Sequence, residues 1–236
     1  CGGCACVSIS APARPISPAS MARFPMNAER GTRIGLAIMA KAPVPGLAKT
    51  RLIPHLGAEG AAALQTWLLR RTVAIAVAAD VGPVTLWCAP DVDHPEFSAC
   101  CGRRQVVLRQ QADGDLGARM HAAVADSPAG GLVVGTDCPV LTSGLLRRAA
   151  VSLDQNDATV IPAEDGGYVL IGMRHPSRRV FTDIDWGSGK VMAQTRERLS
   201  EIGWRWSEFA PLWDVDREED FRRLSNLFPD VHPPGR

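Results

Sequence analysis

Ile34-Gly-Leu-Ala-Ile-Met-Ala40, followed directly by Lys41-Ala-Pro-Val-Pro-Gly-Leu-Ala-Lys-Thr-Arg51, is the stretch that decides the fold. The first half is a continuous apolar run, which suits a strand buried on both faces. The second half carries two prolines and a glycine and can continue neither strand nor helix. Working outward, residues 57–79 are rich in Ala and Leu and predict a long helix. Further strands are expected over 84–88, 105–110, 131–135, 158–161 and 168–171. Helices are expected from about Asp115, over 143–153, and near 188–200 and 216–227, with a short Trp-bearing segment between the last two. Strands alternating with helices predict a three-layer α/β/α sandwich with a mostly parallel sheet. In such sheets ligands sit at the carboxyl ends of strands, so the loops after Ala40, Gly135 and Ile161 are the ones to read.

The expected organisation is one domain over residues 33–228, followed by a tail over 229–236. Residues 1–32 are rich in Ala, Pro, Ser and Gly and lack the charged-then-apolar layout of a secretory signal. They are expected to be a disordered tail or an artefact of start assignment, Met21 and Met26 being more natural starts. Cys1, Cys4 and Cys6 lack the second ligand pair that a zinc site needs. Seven cysteines give no regular disulfide framework, which points to a reducing cytoplasm. With 26 Lys+Arg against 25 Asp+Glu the net charge is +1, too balanced for a broad nucleic-acid-binding face or a polybasic membrane surface. No apolar run is long enough to span a bilayer.

Five segments carry chemistry. Lys41, Lys49 and Arg51 place three cations on a Gly/Pro-shaped turn at a strand-to-helix junction, which suits polyphosphate. A P-loop is ruled out, because Ala48 and Pro43 stand where that motif needs glycines. Gly135-Thr-Asp137-Cys-Pro139 sets a carboxylate at the end of a buried strand, where a hard divalent ion could share it with phosphate oxygens. A turn cap is the plainer alternative, and Cys138 as nucleophile has no His near it in sequence. Ala163-Glu-Asp-Gly-Gly-Tyr168 is either a hairpin turn or a functional loop. Asp214-Val-Asp216 puts two carboxylates on one face of an extended segment. Asp216 alternatively makes an N-cap, with Glu219 at capping-box spacing. Asp115-Leu-Gly-Ala-Arg119, after Gly114, opens a helix whose arginine could reach a base, ribose or phosphate, with Asp115 as a plain N-cap the alternative. Trp204, Trp206 and Trp213 read as packing, and Arg70-Arg71 and Arg147-Arg148 as solvated helix faces.

Taken in order, Lys41…Gly46…Lys49-Thr-Arg-Leu52, Asp115-Leu-Gly-x-Arg-Met120, Gly135-x-Asp-Cys-Pro139, Glu164-Asp-Gly-Gly-Tyr168, Asp185-Trp186 and Asp214-Val-Asp216 cover residues 33–227. This set resembles the glycosyltransferase-like family of radical-SAM- and selenodomain-associated transferases, named also for arsenosugar biosynthesis. That family lies in the nucleotide-diphospho-sugar transferase superfamily with the GT-A fold, and the chain is also similar to the guanylyltransferases of deazaflavin-cofactor assembly. The resemblance implies that Lys41, Pro43, Gly46, Lys49 and Arg51, with Gly114, Asp115, Gly117 and Arg119, bind a nucleotide. It implies that Asp137 and Asp216 hold Mg²⁺ (or Mn²⁺), with Lys49, Arg51 and Asp137 as the catalytic set. Glu164, Asp165, Gly166, Gly167 and Tyr168 would line the acceptor side, closed by Asp185 and Trp186. Gly187-Ser-Gly189 stands where family members have Ser/Thr-Pro, which implies a more mobile loop. The expected activity is nucleotidyl transfer from an NTP to a small phosphorylated or carboxylate acceptor. Sugar transfer from an NDP-sugar is the alternative, and a non-catalytic nucleotide-binding module the second.

Overall fold

A computed structural model describes residues 33–101 and 106–231. The expectations placed on residues 1–32, on Gln105 and on the tail beyond residue 231 lie outside the described residues. In chain order the elements are β1 (Gly35–Lys41), α1 (Ile53–Ala79), β2 (Val84–Ala89), α2 (Pro95–Cys101), β3 (Val106–Gln110), α3 (Leu116–Ala125) and β4 (Gly131–Val134). There follow α4 (Ser143–Ser152), β5 (Ala158–Pro162), β6 (Tyr168–Met173), α5 (Val191–Glu201), β7 (Trp206–Glu208) and α6 (Glu218–Leu227).

The seven strands form one sheet in the order β3-β2-β1-β4-β6-β5-β7. All pair in parallel except β6, which runs antiparallel to both β4 and β5. The chain winds outward from β1 to β3 and then crosses back to β4 on the other side of β1. That reversal is the switch point at which α/β sheets open a crevice. Because β5 and β6 form a hairpin, the end of β5 and the start of β6 meet at the same sheet edge as the carboxyl ends of β1 and β4.

Strand alternation sorts the core into layers. Leu36, Ile38 and Ala40 of β1 pack with Leu69 and Val73 of α1, Phe97 of α2 and Leu146 of α4. Ala37 instead joins Met120 and Val124 of α3 and Met192 and Leu199 of α5. Leu64 and Leu68 of α1 pack with Trp213, Val215, Phe221 and Leu224, which anchors the last helix and the segment leading to it.

Several local expectations shift. The regular part of α1 begins after Gly57, whose φ of 72° and ψ of 169° break the helix, while Pro54 opens the preceding turn. The Trp-bearing segment is the edge strand β7, paired with β5. The arginine pairs are not simply solvated. Arg147 donates to the carbonyls of Ala79 (3.1 Å) and Ala78 (2.6 Å), closing the C-terminus of α1. Arg71 donates to the Pro139 carbonyl at 2.7 Å and lies over the rings of Trp67 and Phe228. Among the described residues, no helix is long and apolar enough to cross a membrane.

Candidate functional site

A cavity of about 1080 Å³ opens along the sheet edge identified above. Lys41 and Ala40 of β1, Ala89 and Pro90 at the end of β2, Gln110 and Gln111 at the end of β3, and Gly135 to Asp137 after β4 all line it. Asp165, Gly167 and Tyr168 from the β5–β6 turn complete the wall, together with Lys49, Thr50 and Arg51, Arg119 of α3, Trp186 and Asp216. A second cavity of about 440 Å³ adjoins it and shares Arg51, Asp165, Gly187, Ser188 and Asp216. Glu164, Asp214, Glu219 and Asp220 make that second cavity acidic.

Lys49 is the hinge of the arrangement. Its backbone is left-handed (φ 45°), which turns the chain out of the Pro/Gly loop into the short 3-10 turn Thr50–Leu52. Its side chain is only 5% exposed, and Nζ stands 2.7 Å from Asp137 Oδ1 and donates to the Val215 carbonyl at 2.6 Å. The Val215 amide in turn donates to the Asp137 carbonyl at 2.9 Å. Asp137 and the 214–216 segment, far apart in sequence, are thus fastened together by one buried ammonium group. Behind Asp137, the buried Gln65 donates to Thr136 Oγ1 at 3.1 Å, and that hydroxyl stands 3.4 Å from Asp137 Oδ1. Nothing in the helical pattern of α1 marks Gln65 as part of a site.

Asp216 does not cap α6. The cap position falls on Arg217, and Asp220 accepts from the amides of Asp216 (3.1 Å) and Arg217 (2.8 Å). This leaves the Asp216 carboxylate for Arg51, with which it makes an ion pair. Between the two candidate ligands, burial pushes the Asp214 carboxyl up to about 6, with Asp165 and Asp137 adding repulsion that Lys49 only partly offsets. An unfolded Asp titrates near 3.8, so folding favours the protonated form of this group. Its stabilising effect is complete below that value and is lost as pH rises through about 6. Asp214→Asn is therefore expected to raise Tm at pH 7.5 in metal-free buffer and to leave it nearly unchanged at pH 3.5. Melting curves at the two pH values check this, and a uniform shift at both would contradict it.

Other site residues are committed elsewhere. Asp115 caps α3 by accepting from the Ala118 amide at 2.7 Å, and Arg119 Nε donates to the Gly114 carbonyl at 3.0 Å. Glu164 accepts from the two terminal guanidinium nitrogens of Arg223, Nη1 and Nη2, at 2.8 and 3.3 Å. Asp185 and Gln194 exchange two hydrogen bonds, at 2.9 and 3.1 Å. Pro43, Gly46, Gly114, Asp115, Gly117, Gly166 and Asp185 shape the surroundings without lining the large cavity. At Gly117 a Cβ would come within 2.8 Å of Trp186 Cζ2, so its absence lets the Trp ring lie against α3. Trp186 meets Tyr168 edge-on at 6.4 Å. The Tyr168 hydroxyl donates to Met120 Sδ at 3.7 Å, and burial raises its pKa, keeping it protonated.

The 187–189 loop, expected to be mobile, carries its own ties. Ser188 Oγ donates to the Asp185 carbonyl at 2.7 Å and accepts from the Lys190 amide at 3.2 Å. Gly166 (φ 91°) packs so closely on it that a Cβ there would stand 2.3 Å from the Gly189 carbonyl oxygen. Cys138 is inert as a nucleophile, since burial raises its thiol to about 11.

Among the described residues, no group of three or more His, Cys, Asp or Glu side chains is placed to hold a metal ion. Asp137 and Asp216 are each about half exposed (49% and 43%) and line the same cavity. Two carboxylates with open space before them fit a hard cation that completes its shell with phosphate oxygens and water, and do not fit a closed zinc cage.

Residues 72–188, a little under half of the chain, match the sequence profile of a family described as uncharacterized proteins conserved in bacteria (DUF2064). No curated protein matches the chain significantly. A solved structure from Desulfovibrio desulfuricans G20, provisionally assigned as a nucleotide-diphospho-sugar transferase, is 29% identical with a TM-score of 0.77. The match covers 85% of this chain and 89% of that one. A nucleotidyl transferase from Methanothermobacter thermautotrophicus is 16% identical with a TM-score of 0.57, covering 86% and 100% of the two chains. The CTP complex of CMP:2-keto-3-deoxy-manno-octonic acid synthetase is 11% identical with a TM-score of 0.52, covering 85% and 100%. At these lower identities the likeness is one of fold. The architecture is that of the nucleotide-diphospho-sugar transferases, mixed α/β with a mostly parallel seven-stranded sheet.

Proposed function

We propose that this protein is a divalent-metal-dependent nucleotidyltransferase that joins an NMP from an NTP to a small phosphorylated or carboxylate acceptor. The observation that carries this reading is the convergence of Lys41, Lys49 and Arg51 with Asp137 and Asp216 around one cavity at the sheet's switch point. The D. desulfuricans relative and the two nucleotidyl-transferring neighbours support the class. An acceptor oxygen attacks the α-phosphorus, the α–β phosphoanhydride bond breaks, and pyrophosphate leaves. The acceptor is already anionic, so no base is needed. Lys41 and Arg51 balance charge on the β and γ phosphates and on the leaving group. Lys49, buried against Asp137, holds the carboxylates in register. Mg²⁺ or Mn²⁺ bound by Asp137 and Asp216 would supply electrophilic stabilisation of the reacting phosphate. Asp165 and Tyr168 border the acceptor side, and the catalytic unit is residues 33–228. A reducing cytoplasm is the proposed compartment, in keeping with the protonated, buried thiols of Cys88 and Cys138.

One observation favours sugar transfer from an NDP-sugar instead. The adjoining cavity is lined by carboxylates, a poor surface for an anionic acceptor. In that reaction Asp165, which has no arginine partner among the described residues, would take the proton from an acceptor hydroxyl; Glu164 is occupied by Arg223. Incubating the protein with Mg²⁺, each NTP and a panel of phosphorylated and carboxylate acceptors is expected to release pyrophosphate. Release of nucleoside diphosphate from NDP-sugars, with no pyrophosphate from any NTP, would transfer the conclusion to the second reaction.

A further inference from the structure

The ion pairs of the cavity join groups that the proposed chemistry uses separately. Asp137 and Asp216 are the candidate metal ligands, yet each already touches a cation, Lys49 and Arg51 respectively. The two pairs differ in burial. Lys49 is 5% exposed and also bound to the Val215 carbonyl, so it cannot leave without abandoning a buried position. Arg51 is 64% exposed, Asp216 is 43% exposed, and both face the two adjoining cavities. Exposed pairs of this kind hold each other weakly and exchange partners readily. The rest of the surroundings of Asp216 is anionic: Asp165, Asp214, Glu219 and Asp220 border the same smaller cavity, with Arg217 as its other cation.

We propose that Arg51 is an exchangeable arm that makes divalent-cation binding and phosphate binding interdependent. In the free protein the guanidinium neutralises Asp216. When Asp216 engages a divalent cation, Arg51 is released toward the phosphates that accompany it, while Lys49 stays in place as a strut. Coupling of this kind is reciprocal, so phosphate binding at Arg51 equally frees Asp216 for the cation. The inference rests on the reading that this cavity takes a metal–nucleotide complex and adds how its two halves are linked.

The test needs neither nucleotide nor turnover. Mn²⁺ alone is titrated into the full chain, with free Mn²⁺ followed by electron paramagnetic resonance, for wild type, Arg51→Met, Arg51→Lys and the double variant Arg51→Met/Asp216→Asn. Arg51→Met removes both a competing partner and a like charge and is expected to bind Mn²⁺ about fivefold more tightly than wild type. Arg51→Lys should stay near wild type, and the gain should vanish in the double variant. A merely structural role for Arg51 would not give this order. Unchanged, weaker or undetectable Mn²⁺ binding in Arg51→Met overturns the exchange, as does a gain that survives loss of Asp216. Such a result leaves the nucleotidyltransferase reading to be judged by pyrophosphate release. A chain that shows the gain but turns over no nucleotide keeps the exchange and loses that reading.

Discussion

Asp137→Asn is expected to lower the rate of pyrophosphate release by about a thousandfold, the scale on which lost charge stabilisation at a reacting centre is felt. The side chain sits at the end of β4, a strand buried along its whole length, and it is steadied from behind by Thr136 and Gln65. An amide in its place can still accept from Lys49, so the local geometry survives while the negative charge is lost. Lys49 loses its counter-charge but keeps an acceptor, and because Asp137 is half exposed water screens the pair, so a loss of about 1 kcal/mol is expected. For a domain of this size that corresponds to roughly 2–4 °C in Tm. Rate and stability should therefore separate widely, with kcat rather than KM for the nucleotide carrying the effect. Steady-state kinetics beside a melting curve decides it, and a variant within tenfold of wild type would sink the metal assignment.

Gly166→Ala is expected to produce the largest loss of stability among the site glycines, about 3 kcal/mol. Two costs add. A residue with a Cβ must adopt φ 91°, and that Cβ would lie 2.3 Å from the Gly189 carbonyl oxygen, with the Gly189 carbonyl carbon at 2.7 Å. The neighbouring Met192 amide donates to the Gly166 carbonyl at 2.8 Å, so the crowding cannot be relieved without moving the start of α5. Tm should fall by roughly 6–12 °C. Gly187→Ala provides the contrast, since its φ is also positive (80°) but nothing stands within 4 Å of a Cβ there. Its cost should be only about 1 kcal/mol. Equal melting temperatures for the two variants would show that the two loops do not press together as described.

The sheet and most of its helices are legible from apolar runs and their punctuation, because buried strands and Ala/Leu-rich helices leave a signal in composition itself. Strand direction is less visible. A short apolar run carries no arrow, although the few residues between β5 and β6 already exclude a parallel crossover, which needs a dozen or more. The helix α2 spans seven residues and β7 three, too little for periodicity to speak. At the site, the loops and carboxylates are readable as types. What the sequence conceals is which charges satisfy one another. Lys49 and Arg51 look alike on a basic loop, and only packing makes the first a buried strut and the second an exposed arm. Asp216 has the spacing of a cap, but the cap falls on Arg217, with Asp220 accepting from its amide, and the Asp216 carboxylate is left free for Arg51.

The tie between the Val215 amide and the Asp137 carbonyl also constrains biosynthesis. A nascent chain on the ribosome can assemble β1 to β4 and much of their helical cover while the downstream third is still being made. Until residues 213–216 emerge, Lys49 has no carbonyl to hold at position 215 and Asp137 has no companion carboxylate. The cleft is therefore completed only once the segment before α6 is free to fold back, which makes its assembly a late step of folding.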